Sequence, residues 1–259
     1  MTQVWADDRA QVWADEAGPE DATFVAVIHG SMDRSSGMLK LSRAIDDRCR
    51  VLRYDRRGYG RSAPHSGPFG MDAQVADLVT LLAGRPAVLI GHSYGGNVAL
   101  ATADRHPHLV RGVGIYETPL SWEPWWPGNT AGGAAVEHGG DPAAAAERFM
   151  RRMIGDERWD ALPERTRATR RIEGAAMVGE LTDLRDHAPW TAERIHVPVI
   201  ASHGSGGSAH HQRGMTHVAA TIPGAQLVVL DGVRHDAPLS HPALVAERIV
   251  WPLLARLHA

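Results

Sequence analysis

Residues Ala87-Val88-Leu89-Ile90-Gly91-His92-Ser93-Tyr94-Gly95-Gly96 decide how this chain folds. The apolar run 87–90 is too short for a helix and is closed by glycine, so it reads as a strand buried on both faces. From Gly95 to Arg105 apolar residues recur at three and four spacing, which reads as a helix. Strand and helix therefore meet in a turn with the pattern Gly-x-Ser-x-Gly. The turn is too tight for side chains at the pattern's two glycine positions, Gly91 and Gly95, and these glycines let Ser93 stand at its tip in a strained backbone conformation.

The same rhythm extends in both directions. Short apolar runs at 24–28, 51–54, 110–116, 197–201 and 226–230 read as further buried strands. Helical periodicity at 37–47, 72–82, 95–105 and 212–221 separates them, and a last helix is expected over 242–257. Strands alternating with helices predict an α/β fold with a mostly parallel, doubly wound sheet. Ahead of it, 3–6 and 11–14 share the string Gln-Val-Trp-Ala-Asp or its start and are expected to pair as a hairpin. The rhythm breaks between Thr118 and Ile195, where no strand is expected but helices are, near 143–153, 164–172 and 175–186. Asp141 followed by Pro142 supplies a helix start. Five of the chain's eight tryptophans fall in this insertion: Trp122, Trp125, Trp126, Trp159 and Trp190. Such residues serve either as core or as the aromatic wall of a pocket.

Composition narrows the function classes. With 259 residues, 44% hydrophobic and 22% charged, the chain is long enough for one large core and is neither disordered nor fibrous in character. A net charge of −3 leaves no basic footprint for nucleic acid, and the positive charge is almost wholly arginine, Lys40 being the one lysine. A single cysteine, Cys49, requires no oxidising compartment. The first 22 residues carry six carboxylates and no long apolar run, so neither a secretory signal nor a membrane anchor is expected there, and a cytoplasmic location is.

With these motifs in place the chain resembles the α/β-hydrolase superfamily, from about Phe24 to the C-terminus. The resemblance rests on the Gly91 to Gly95 elbow, on His29-Gly30-Ser31 after the first buried strand, and on Asp55-Arg56-Arg57-Gly58-Tyr59-Gly60-Arg61-Ser62 after the next. It implies a hydrolase core over 1–117 and 196–259 and a helical cap over 118–195. It also implies Ser93 as nucleophile, backbone N–H groups of Ser31 and Tyr94 as an oxyanion hole, and a late histidine as base. His235 fits that order, following the strand 226–230 by a short loop; His241, before Pro242, looks like a helix start instead. His29, Gly30, Trp122, Trp125 and Trp126 are the candidates for contact with substrate.

The acid departs from the family's common pattern. Where an aspartate is expected after the strand 197–201, the sequence reads His203-Gly204-Ser205-Gly206-Gly207-Ser208. Glu117, at the end of the preceding strand and before Thr118-Pro119, is the alternative position. The resemblance here is to lactonases that open the macrolide zearalenone, which are similar also in the Ser240-His241-Pro242 that follows the base. Asp231 and Asp236 stay open as rivals.

Other chemistries are weaker. His203, His210, His211 and His217 share one region, but there is no His-Glu-x-x-His, and His210 and His211 are expected on different sides of a helix; no metal is expected, and histidines other than His29, His92 and His235 read as surface or packing residues. The run 204–209 formally matches a dinucleotide fingerprint but lies late in the sheet, outside a first βαβ unit. The resemblance implies no cofactor. The expected activity is hydrolysis of a carboxylic ester or lactone, probed on a hydrophobic small molecule by a monomer or homodimer without nucleic-acid or membrane partners. A non-catalytic ligand-binding module and a cofactor-free perhydrolase or carbon–carbon hydrolase remain as alternatives.

Overall fold

The computed structural model describes residues 2–5, 12–137 and 140–257. Among these residues eight strands form one sheet: β1 (Thr2–Trp5), β2 (Trp13–Ala17), β3 (Thr23–Ile28), β4 (Cys49–Tyr54), β5 (Ala87–His92), β6 (Val110–Tyr116), β7 (Val199–Gly204) and β8 (Gln226–Leu230). Their order is β1-β2-β4-β3-β5-β6-β7-β8; the β1·β2 and β2·β4 pairs at one edge are antiparallel, and every pair from β4·β3 onward is parallel. The expected hairpin is present, with its second arm displaced to Trp13–Ala17 and Trp5 opposite Trp13; residues 6–11 lie outside the described ones.

The continuous apolar runs are explained by helices on both faces. Strands β5 and β7 are buried at every position. On one face pack α1 (Leu39–Arg43) and the C-terminal helical segments; on the other lie α2 (Met71–Leu82) and α3 (Tyr94–Arg105). The second apolar cluster continues into the insertion, taking in Phe149, Trp159, Met177 and Leu181, so those helices share the core of the sheet face. They are α4 (Ala131–Val136), α5 (Pro142–Ile154), α6 (Asp156–Asp160), α7 (Glu164–Ile172) and α8 (Gly174–Asp186). Asp141 caps α5 by accepting from Ala143 N–H, as its sequence suggests.

Three elements differ from expectation. The helix expected over 37–47 shortens to Leu39–Arg43, flanked by turns. Strand β7 begins at Val199 because Pro198 has no N–H to give a ladder. After α9 (Ala209–Thr221), α10 (Ala237–Ser240) and α11 (Pro242–Val245), the last helix does not run regularly: a π turn at Ala246–Val250 precedes α12 (Trp251–Ala255). Trp251 N–H bonds Ala246 C=O, five residues back, and the cause is Pro252, which lacks a donor and whose ring would meet the carbonyl one turn earlier in a regular helix. No helix among the described residues is long and apolar enough to cross a membrane.

The chain runs from β3 outward to β4 and returns across β3 to β5, so the carboxyl ends of β3 and β5 bracket the point where the strand order reverses. Such a point opens a crevice for ligands. Ile28 stands opposite Gly91, and His92 opposite Tyr116, which brings the segments after β3, β5 and β6 to one edge.

Candidate active site

Ser93 sits between β5 and α3 at φ 52° and ψ −126°, a conformation costly for a residue with a Cβ. Two neighbours permit it. A Cβ on Gly91 would lie 2.5 Å from Gly95 C=O, and one on Gly95 would lie 2.3 Å from Ile28 C=O, so α3 can start against β3 only if both are bare. Ser93 N–H donates to Tyr116 C=O at 2.9 Å, and Gly96 N–H to Ser93 C=O at 2.9 Å, which fixes the turn from both sides. Tyr94 is the first helical residue, and its N–H is among those a helix leaves without an internal acceptor. Ser31 lines the same cavity as Ser93.

His235 and Glu117 meet. His235 Nδ1 donates to Glu117 Oε2 at 2.8 Å across 118 residues of chain. Glu117 is fully buried just past β6 at φ 47°, and its other oxygen, Oε1, accepts Gly204 N–H at 3.0 Å. The glycine-rich segment after β7 makes room for this carboxylate, which enters from the neighbouring strand β6. A Cβ on Gly207 would lie 2.3 Å from Glu117 Oε1, so the carboxylate occupies the room that a side chain on that loop would need. Asp231 and Asp236 are exposed, and neither bonds His235.

The loop bearing His235 is held at two successive carbonyls. Tyr116 O–H donates to Arg234 C=O at 2.8 Å and His92 Nε2 donates to His235 C=O at 2.8 Å. Burial, and next the nearby His235, push the pKa of His92 down to about 3, so the ring is neutral and carries its proton on Nε2. His29 is fully buried and neutral for the same first reason: Nδ1 donates to Gly30 C=O at 2.7 Å while Nε2 accepts Arg56 N–H at 2.9 Å. Arg56 in turn donates to His29 C=O and Gly30 C=O and pairs with Glu180 of α8 at 2.5 Å, tying the loop after β3 to the insertion. The charged residues of the segment from Asp55 to Ser62 are thus structural; Asp55 accepts Ser35 N–H and Arg61 N–H.

A cavity of about 660 Å³ lies over Ser93 and His235. Trp126 forms part of its wall, with Phe149, Met153 and Leu181 from the insertion. The other proposed contacts lie elsewhere. Trp122 packs edge-on against Trp190 at 5.5 Å, Trp125 lies under Arg213 at 4.2 Å, and neither reaches the cavity. His29 and Gly30 also stay behind its wall, Gly30 being bare because a Cβ there would lie 2.9 Å from Ser93 Cβ. Trp159 and Trp190 are core residues.

His210 and His211 correct the expectation that they are surface residues on different sides of α9. Their rings are 4.5 Å apart, both line the cavity, and both bond Ser208 Oγ. They sit in the first turn of α9, before a helical period can separate them, and Trp126 packs edge-on against both. The His211 ring lies 4.7 Å from that of His235 at 13° to it, with Nδ1 3.5 Å from Glu117 Oε2. Burial, and next the nearby histidines, keep its pKa well below the ordinary value. Glu117, His211 and His235 form a cluster of metal-ligand type, but the two stacked rings hold their lone pairs in separate, nearly parallel planes, so an ion in the plane of one imidazole lies out of the plane of the other. Only the start of a helix after a Gly/Ser run signalled this pair in the sequence.

The family model described as "Alpha/beta hydrolase family" matches residues 25–248. A pimeloyl-[acyl-carrier protein] methyl ester esterase of Aromatoleum aromaticum is 30% identical over 185 residues, covering 63% of this chain and 74% of that protein. An sn-1-specific diacylglycerol lipase of Danio rerio is 37% identical over 99 residues, 36% of this chain and 31% of the lipase, so this likeness spans less than a third of the relative's length. Among solved structures, a hydrolase from Pseudomonas aeruginosa superposes with a TM-score of 0.75 at 24% identity, covering 95% of this chain and 97% of the other, a likeness of fold. With the family's model matched along most of its length and the strand–serine–helix turn at the centre of its sheet, this chain belongs to the alpha/beta hydrolase family.

Proposed function

We propose that this protein is a serine hydrolase that cleaves a carboxylic ester or lactone through an acyl-enzyme, with Ser93 as nucleophile, His235 as general base and Glu117 as acid. The observation that carries the reading is the 2.8 Å bond from His235 Nδ1 to Glu117 Oε2 beneath a cavity that Ser93 also lines. With Nδ1 carrying the proton, Nε2 is left free to accept one from Ser93 as the hydroxyl attacks the carbonyl. His235 then returns that proton to the departing alcohol oxygen. In the second half water attacks the acyl-enzyme, its proton passes to His235, and Ser93 is regenerated. The carboxylate of Glu117 stabilises the imidazolium formed in each half, and the Ser31 and Tyr94 N–H groups are the donors proposed for the oxyanion. The esterase and lipase relatives support this substrate class, and a structural neighbour described as an enol-lactonase shares the fold. The apolar wall of Trp126, Phe149, Met153 and Leu181 suits a substrate with a hydrophobic body.

The test is a panel of p-nitrophenyl esters and lactones with wild type and Ser93→Ala, together with labelling by a fluorophosphonate. Turnover and labelling that both vanish in Ser93→Ala are expected. A wild type that stays unlabelled and turns over none of the panel, yet melts higher with small ligands, points to a binding module and overturns the reading.

A further inference from the structure

The walls of the cavity carry charge of one sign. Among the described residues twenty line it and none of these is Asp or Glu, although the chain as a whole has a net charge of −3. Two lining residues are arginines, Arg152 from α5 and Arg234 from the loop that bears His235. Both are exposed, and among the described residues neither has a carboxylate partner. The adjacent residue contrasts with it: Arg151 is matched by Glu147, Asp156 and Asp160, while Arg152, which lines the cavity, donates among the described residues only to Asn129 C=O. That leaves most of its five N–H donors open. Glu117 is fully buried behind the cavity with its oxygens taken by Gly204 N–H and His235, so it is no partner for either arginine.

From this we infer that the cavity selects esters whose apolar body ends in a carboxylate, received by the guanidinium groups of Arg152 and Arg234. The inference rests on the serine-hydrolase reading and specifies its substrate. Arginine suits the task better than lysine would, because its planar fork meets both oxygens of a carboxylate. An unpaired guanidinium at the mouth of a cavity also loses little hydration until an anion arrives, so the apo protein can hold the two charges without a buried cost.

The experiment compares the p-nitrophenyl half-ester of adipic acid with the same compound methylated at its far carboxylate. Both have the same leaving group and nearly the same length, so the ratio of their kcat/KM values reads the distant charge alone. Wild type is expected to favour the free acid by about tenfold or more, a factor typical of one charge-assisted hydrogen bond. Added sodium chloride should lower the ratio, because exposed charges are screened. Arg152→Gln and Arg234→Gln should each reduce it, and the double variant should bring it to about one. Since both side chains are exposed, unchanged melting temperatures are the control for folding. A wild type that favours the methylated ester, or a double variant that keeps the preference, overturns the inference and leaves the hydrolase intact. Failure to turn over either ester, with Ser93 unlabelled by a fluorophosphonate, sinks the hydrolase reading and this inference with it.

Discussion

Replacing Glu117 by glutamine changes one carboxylate oxygen into an NH2 group at nearly constant volume, and the surroundings dictate which one. Oε1 accepts Gly204 N–H at 3.0 Å, so an NH2 placed there would oppose a fixed backbone donor. The amide oxygen must keep that position, and the NH2 must face His235 Nδ1, now 2.8 Å from Oε2. An NH2 donates, so Nδ1 has to become the acceptor and the ring proton moves to Nε2. In that tautomer His235 has no lone pair for the Ser93 proton. The equivalent amide replacement in Ser-His-Asp triads lowers kcat by roughly 10⁴, or about 5.5 kcal/mol of transition-state stabilisation. We therefore expect Glu117→Gln to lose 10³ to 10⁴ in kcat on a p-nitrophenyl ester, roughly, with KM changed far less. Steady-state kinetics with active-site titration by a fluorophosphonate measures it, and a circular-dichroism melt confirms folding. Asp231→Asn, at an exposed strand end, should stay near wild type. Glu117→Gln activity within about tenfold of wild type in a folded protein would refute the argument, because the tautomer logic leaves no room for a small effect.

Three further outcomes follow from the packing around the site. Gly207→Ala puts a methyl group 2.3 Å from Glu117 Oε1 and should shift the carboxylate off His235, lowering kcat by about 10² in a protein that still melts cooperatively; unchanged kcat would mean that the loop gives way instead. Glu180→Gln leaves the fully buried Arg56 without its counter-charge and should cost about 3–5 kcal/mol in urea unfolding. On acidification, His29, His92 and His211 resist protonation in the folded state because burial holds their pKa values down, to about 3 for His92, whereas in the unfolded chain they protonate near 6.5. Their stabilising contribution is complete above about pH 6.5 and is lost as the pH falls below it, at up to about 1.4 kcal/mol per pH unit for each. Asp33, raised by burial to about 6, acts in the opposite sense only once the pH is below that value. Urea midpoints should therefore drop between pH 7.5 and 5.5, and a flat or rising profile would contradict the burial of these rings.

What the sequence reveals and what it hides divide along physical lines. The strands β3 and β5 to β7 are legible because burial on both faces leaves continuous apolar runs, and Ser93 is legible because its turn needs bare glycine two residues to either side, at Gly91 and Gly95. Pairings set by three-dimensional register are not legible in that way: nothing local says that Tyr116 and His92 hold the carbonyls before and at His235, or that Trp126 reaches the cavity while Trp122 and Trp125 turn away. His210 and His211 were hidden by an over-extended rule, since two residues in the first turn of a helix can both lean toward the loop that caps it. The glycine-rich run after β7 is the most instructive case. Read alone, it is a loop without the aspartate that the resemblance calls for. Read with Glu117, its emptiness has a steric cause, because a carboxylate entering from the neighbouring strand needs a wall with no side chains and one backbone N–H to hold its second oxygen, and Gly207 and Gly204 supply these. A missing side chain on one strand and a buried carboxylate on the next are then a single feature, and any relative that carries the aspartate after β7 should have no need of bare backbone at the position of Gly207.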